Sequence, residues 1–348
     1  MVSTEREQIL SRVLATPDFF PVEIDFQHNT LVFTPMSRES FCRFSFLDNR
    51  FVRAGPDSFS VGLMELLSKC STAQAKRPLH FILHGAFCGS TLMARHLEEL
   101  PHCFVLKEPG SLAQLARLKN GASDPDSHSW ADWFKVSMSL LARTYASDVA
   151  VIVKPNDVCN WMGKLLLDHD ARTKIIFLSS PLKMFLLSVL KMDDRRRWAR
   201  GRILQLKGFL AEVPFLAKLS VDDLSDDQFS AALWLLNSYL CSSLLARLDS
   251  DRVHPLNGED LIRRPQEQLR KAADFLGLTC DEANHAALTT LRPLSYHAKH
   301  LHLPYDEVTR AIDHDKAQVR FGREVEAGIS WAKQVGSGWL SQSPFPLE

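Results

Sequence analysis

The sequence predicts an α/β protein, a three-layer sandwich with a central parallel sheet and a small antiparallel β extension at its N-terminus. Three observations carry this reading. Five short apolar runs, Leu79–Leu83, Cys103–Leu106, Val149–Val153, Lys174–Leu178 and Arg252–Leu256, alternate with helical periods. The first run leads through a turn holding Gly85 and Gly89 into a helix-like segment from about Thr91. Upstream, residues 22–53 alternate in strand fashion as VEIDF, TLVFTPM and FCRFSFL, with HN and DN as turn signals.

Taken in order, residues 1–15 have the pattern of a short amphipathic helix. The three alternating segments then predict an antiparallel ribbon. Ser60–Cys70 predicts a helix, and Ser71–Pro78 a polar linker into the core. Ser225–Leu248 predicts a long helix whose Trp234, Leu235, Tyr239 and Leu245 are core-packing positions. Pro265–Leu276 predicts a helix with proline in its first turn and Gly277 as its stop. From Asp306 the tail is helical and polar, with Trp331 as an anchor. The expected organisation is an extension over 1–76, an α/β core over 77–285, and a C-terminal loop and tail over 286–348 that pack on the core.

Composition narrows the classes. Of 348 residues, 45% are hydrophobic and 24% charged, and the formal net charge is zero, so no strong global attraction to nucleic acid or a membrane surface is expected. Seven cysteines without CxxC spacing argue against a disulfide framework or zinc site and suit a reducing compartment. MVSTEREQIL has no signal-peptide core, and the expected location is the cytoplasm. The longest uncharged run, Gln228–Ala246, holds Asn237, Tyr239 and four serines and reads as a buried core helix. There is no GxSxG elbow. The histidines of YHAKHLH, Tyr296–His302, match no metal-ligand spacing, and the segment reads as a loop near the acceptor entrance or as plain surface.

Strand, glycine loop and helix together form a phosphate-binding device: loop amides and the first free N–H groups of the helix converge, and the helix dipole favours an anion there. Gly85 and Gly89 lie one residue too close for GxxxxGK[ST], and Ser90 stands where that motif has its lysine. Ligands of parallel sheets sit beyond the carboxyl ends of the strands. The strand ends therefore nominate His84, then Lys107 and Glu108, then Lys154 and Asn156, then Ser179 and Ser180, then Asn257, Glu259 and Asp260.

Several segments in this order resemble the sulfotransferase superfamily, a P-loop-like α/β fold. FCGSTL is similar to its phosphosulfate loop. VLKEPGSL (Val105–Leu112) resembles the second-strand EP motif of bacterial members, and LNGEDLIRRPQEQLRKAADFLGL (Leu256–Leu278) the stretch after the last core strand. IIFLSSPLKMFLLSVLK (Ile175–Lys191) falls where the family has its strand–RDP–helix–serine element. The resemblance runs from about residue 77 to 285. It implies 3′-phosphoadenosine 5′-phosphosulfate as the donor, no metal, and transfer of a sulfuryl group to a hydroxyl or amine of a small-molecule acceptor. It also implies donor contacts from Gly85, Cys88, Gly89, Ser90 and Thr91, with the 3′-phosphate near Ser179 and Ser188.

Two positions depart from the family pattern. Phe87 stands where its loops carry Lys or Arg, and Ser179 or Ser180 replaces the RDP arginine; Ser188 then lies about one residue late. Candidate replacement cations are Lys154, Arg95 and the arginines of MDDRRRWAR, namely Arg195, Arg196, Arg197 and Arg200; the alternative for that run is a solvated face paired with Asp193 and Asp194. Glu108 is the first candidate for the base that takes the acceptor proton, and His84 the second. Two alternatives stay open: a kinase-like enzyme of the same fold using another phosphorylated donor, and a non-catalytic relative that binds a nucleotide or a partner.

Overall fold

The computed structural model describes residues 2–70, 77–120, 127–247, 251–278, 296–297, 300–304 and 307–348. The centre is a five-stranded parallel sheet of β4 (Leu79–His84), β5 (Cys103–Lys107), β6 (Ala150–Lys154), β7 (Ile175–Ser179) and β8 (Val253–Asn257), in the order β5-β6-β4-β7-β8. Each strand ends one polar residue beyond the predicted apolar run, so His84, Lys107, Lys154, Ser179 and Asn257 form its carboxyl edge. Pro255 lacks an N–H for a ladder and sits on the edge strand, where this is tolerated.

Period-two side chains divide the core into two layers. Phe81, Leu83, Phe104, Leu106, Val151, Val153, Ile175 and Phe177 enter one apolar cluster. The alternate residues Ile82, Val105, Ile152, Ile176 and Leu178 enter the other. The smaller cluster is closed by α4 (Ser90–Glu98) and α13 (Pro265–Leu276). The larger is closed by helices that include α5 (Gly110–Asn120), α6 (Ser127–Leu141), α8 (Leu182–Leu190), α9 (Asp193–Gln205) and α11 (Asp226–Arg247). By length and composition α11 is the one described helix able to cross a membrane, yet 67% of its apolar window is buried in the protein. Gly277 ends α13 in the left-handed conformation at φ 73°, as its place after the last periodic residue predicts.

The N-terminal extension differs from its sequence pattern at one strand. The helix α1 (Val2–Ala15) and the strands β1 (Phe19–Asp25) and β2 (Thr30–Pro35) form as expected. FCRFSFL does not continue the ribbon. Its first residues belong to α2 (Arg38–Arg43), where Ser37 caps the helix by accepting from the Ser40 N–H and Phe41 turns inward onto Phe20 and Phe104. The third strand is β3 (Phe59–Gly62), followed by α3 (Leu63–Cys70), so the predicted helix over Ser60–Cys70 begins as a strand. Phe59 stacks on Phe33, and this pairing outweighs the helical period of the segment.

One apolar cluster runs from Leu10 and Phe33 in the extension through the core to Ala332 and Phe345, so extension and tail share its interior. Arg143 latches two helix ends, donating to Leu140 O at the end of α6 and to Val13 and Thr16 carbonyls at the end of α1. Tail and core meet where Leu182 N and Lys183 N, the first amides of α8, donate to Pro346 O at 3.1 Å and Leu347 O at 2.9 Å. Tyr296–His297 and His300–Pro304 pair antiparallel; the histidine side chains of that segment and residues 71–76 of the expected linker lie outside the described residues.

Candidate active site

The chain winds from β4 to β5 and β6 on one side, then crosses to β7 and β8 on the other. The reversal opens a crevice beyond the carboxyl end of β4, where this topology places ligands. The glycine loop lies in it, and α4 begins at Ser90.

Three loop residues adopt left-handed backbone: Ala86 at φ 61°, Phe87 at φ 49° and Gly89 at φ 87°. Ala86 and Phe87 carry a Cβ there, at a cost of order 1–2 kcal/mol each. Gly85 is required for another reason. A Cβ on it would meet Ser179 Oγ at 2.8 Å, while its N–H donates to Leu178 O at 2.9 Å. Gly258, the first residue of α12 (Gly258–Arg263), presses its backbone on the loop, and a Cβ there would lie 2.4 Å from Cys88 O. Ser180 Oγ is buried beside Gly258 with no hydrogen-bond partner. Ser90 and Thr91 are buried at the helix start. The Cys88 thiol is fully buried and donates to Leu178 O; burial pushes its pKa up to about 11, which makes it a packing group.

Glu108 is the hub of the opposite wall. Its backbone is left-handed at φ 54°, and its N–H donates to Lys154 O. Lys154 Nζ donates to Oε1; Arg50 Nη2, at 2.6 Å, and Asn156 Nδ2, at 3.1 Å, donate to Oε2. Burial raises the carboxyl pKa, but the surrounding groups, Lys154 foremost, outweigh burial and hold it well below the usual carboxylate range. Asn156 continues the network by accepting from Arg202, whose guanidinium forms a two-pronged pair with Asp157 at 2.8 and 2.9 Å. Arg50 also binds Asp48 and lies over the Phe46 ring.

His84 is held at both ring nitrogens. Nε2 lies 3.0 Å from Pro155 O, and Nδ1 accepts from Ala86 N–H at 3.2 Å, which assigns a neutral ring with its proton on Nε2. Asn160 fixes its backbone on both sides. Its bonds therefore shape the loop.

The other sequence candidates have the following surroundings. Arg95 donates to Ser45 Oγ. Arg196 donates to Leu190 O and lies over Phe321 of the C-terminal helix Glu307–Val335. Ser179 Oγ faces Gly85 and donates weakly to Ser180 O. Ser188 is buried in α8, and its carbonyl accepts from Arg195. Arg197 is exposed, and Arg200 pairs with Asp226. Sequence reading missed Arg50, whose segment shows only alternation, and the pair of Glu259 with Arg310 from the C-terminal helix. Gly258 was visible only as one glycine of LNGEDL.

No family model and no curated protein matches the chain. Solved structures do. The sulfotransferase domain of the Synechococcus PCC 7002 olefin synthase is 19% identical over 72% of this chain and 96% of that one, with a TM-score of 0.40. Sulfotransferase STF9 from Mycobacterium avium is 10% identical over 81% of this chain and 80% of that one, at 0.46. A sulfotransferase from Alicyclobacillus acidocaldarius is 15% identical over 72% and 98%, at 0.38. All three are sulfotransferases, and the likeness is one of fold.

Proposed function

We propose that the chain binds 3′-phosphoadenosine 5′-phosphosulfate and transfers its sulfuryl group to a hydroxyl or amine of a small molecule in the cytoplasm. The observation that carries the reading is the loop at the carboxyl end of the central strand: its left-handed turn runs into the start of α4, the arrangement in which backbone amides receive an anion. The phosphosulfate is assigned to Cys88, Gly89, Ser90 and Thr91, mostly through backbone, with Gly85, whose N–H is held by Leu178 O, shaping the turn, and the rest of the donor to the side of Ser179 and Ser188.

Glu108 and Lys154 are assigned to the reacting centre. A carboxylate with three donors is a weak base, so Glu108 takes a proton only once a donor leaves it. Arg50, with a side chain 45% exposed, is the most exposed of the three donors and is assigned to let go of Glu108 while keeping Asp48. Lys154 then balances charge on the leaving phosphate oxygen. His84 is assigned to holding the loop. A second reading, a nucleotide binder without turnover, is favoured by Phe87 and Ser179, which bring no charge to the loop.

Thermal shift with 3′-phosphoadenosine 5′-phosphate, with ATP and magnesium, and with buffer separates the readings, because a ligand of the native state raises the melting temperature. A shift with the first compound alone, together with sulfuryl transfer to some acceptor, is the expected result. A shift with ATP and magnesium alone would replace it with a kinase-like activity. A shift with the first compound and no turnover would favour the non-catalytic binder.

A further inference from the structure

We propose that a cavity at the amino end of the central sheet binds an amphipathic organic anion, its head on Arg143 and its apolar chain along α1. The cavity measures about 1660 Å³ and lies among α1, the end of α3, α6 and the turns that lead into β4, β6 and β7. The crevice described above is at the other end of the same strands, roughly 16 Å away along the five residues of β6. The inference is therefore independent of the donor reading.

Arg143 is the residue that points to an anion. It is 7% exposed and lines the cavity. Its Nε donates to Leu140 O, and its Nη1 to Val13 O and Thr16 O, all neutral groups. Among the described residues, no carboxylate pairs with it and Nη2 carries no hydrogen bond, which leaves that edge of the guanidinium for an oxyanion. Burial pulls its pKa down to about 9, and the charge of Asp18, beyond ion-pair distance, does not offset it. The wall around it is net positive. Its carboxylates are Glu7 and Asp170, and Asp170 is already bound by Arg172. Against them stand Lys69, Arg77 and Lys135, the last exposed and without an ion pair among the described residues. Leu10 and Leu14, one turn apart on α1, supply an apolar strip together with Ala142. The volume exceeds the roughly 300–1,000 Å³ of ordinary small-molecule pockets, which suits an extended chain.

The test uses the full chain and three probes measured by calorimetry: decanoate, which has head and chain, decanol, which has the chain alone, and inorganic phosphate, which has a charge alone. Decanoate is expected to bind at one site per chain, more tightly than either other probe, and equally well with and without saturating 3′-phosphoadenosine 5′-phosphate. Arg143→Gln is expected to abolish the site. Because Arg143 also holds the ends of α1 and α6, two variants on the rim decide if that protein fails to fold. Lys135→Glu is expected to weaken decanoate by about tenfold at low salt and less at high salt. Ser11→Trp, which fills part of the cavity from the exposed side of α1, is expected to weaken it at any salt. Lys333→Glu, the same charge change on the exposed face of the C-terminal helix, should leave the affinity unchanged. Decanol binding as tightly as decanoate would overturn the anionic head, and phosphate binding as tightly would overturn the apolar chain. Absence of decanoate binding, binding displaced by the nucleotide, or binding indifferent to both rim variants would overturn the site.

Discussion

Glu108→Gln keeps the shape of the residue and removes its charge, so it acts on both the chemistry and the buried ion pair. Turnover is expected to fall with little change in donor affinity, read from initial rates and calorimetry. Lys154, 1% exposed, loses its carboxylate in the same variant, which is expected to cost about 3 kcal/mol in urea unfolding. Gly89→Ala puts a Cβ at φ 87° and 3.3 Å from Leu261; about 1–2 kcal/mol of stability should go, and Gly89→Val should abolish donor binding besides. His96 behaves oppositely. Neither ring nitrogen has a partner in its buried position on α4, so His96→Leu is expected to stabilise the protein by about 1 kcal/mol in the same assay. Glu108 and Lys154 were legible in the sequence because a buried strand that ends in a polar residue announces a crevice. Arg50 was not: it meets Glu108 across 58 residues, and periodicity carries no signal for such a pair.

At the scale of elements, α12 acts on the loop through one atom-sized gap. Gly258→Ala adds a Cβ 2.4 Å from Cys88 O, so the loop must shift. Affinity for 3′-phosphoadenosine 5′-phosphate should drop while the helix itself is slightly favoured. Gly208→Ala, with nothing within 4 Å, is the control that leaves affinity unchanged. The five core strands and the helices after them could be read from apolar runs because both faces of the sheet are buried. The extension was harder. Alternation in FCRFSFL fits a strand and equally a single capped turn with one inward phenylalanine, and the choice was made by Phe20 and Phe104, which lie far along the chain. Likewise Phe59 takes its place beside Phe33 through a pairing that local propensity does not encode.

The whole molecule responds to acid through its buried histidines. Burial lowers His80, His96 and His314 from 6.5 to about 4, so these rings stay neutral in the fold. The unfolded chain binds their protons near pH 6.5 and the folded chain only near 4. Stability is therefore full above pH 6.5 and falls as pH drops through that window; His80 and His96 are each expected to lose about 2 kcal/mol by pH 5. Urea midpoints measured from pH 7.5 to 4.5 check this, and His96→Leu should remove its share of the slope. The fold class was legible at this scale, whereas the way both ends of the chain close on the core was not. The tail has a consequence for selectivity. Two helices start at the crevice, α4 and α8, and each could attract a negative group. Pro346 and Leu347 occupy the leading amides of α8 with their own carbonyls, so that berth is already taken. Removal of Pro346 and Leu347 would vacate it and offer an incoming sulfate a rival seat.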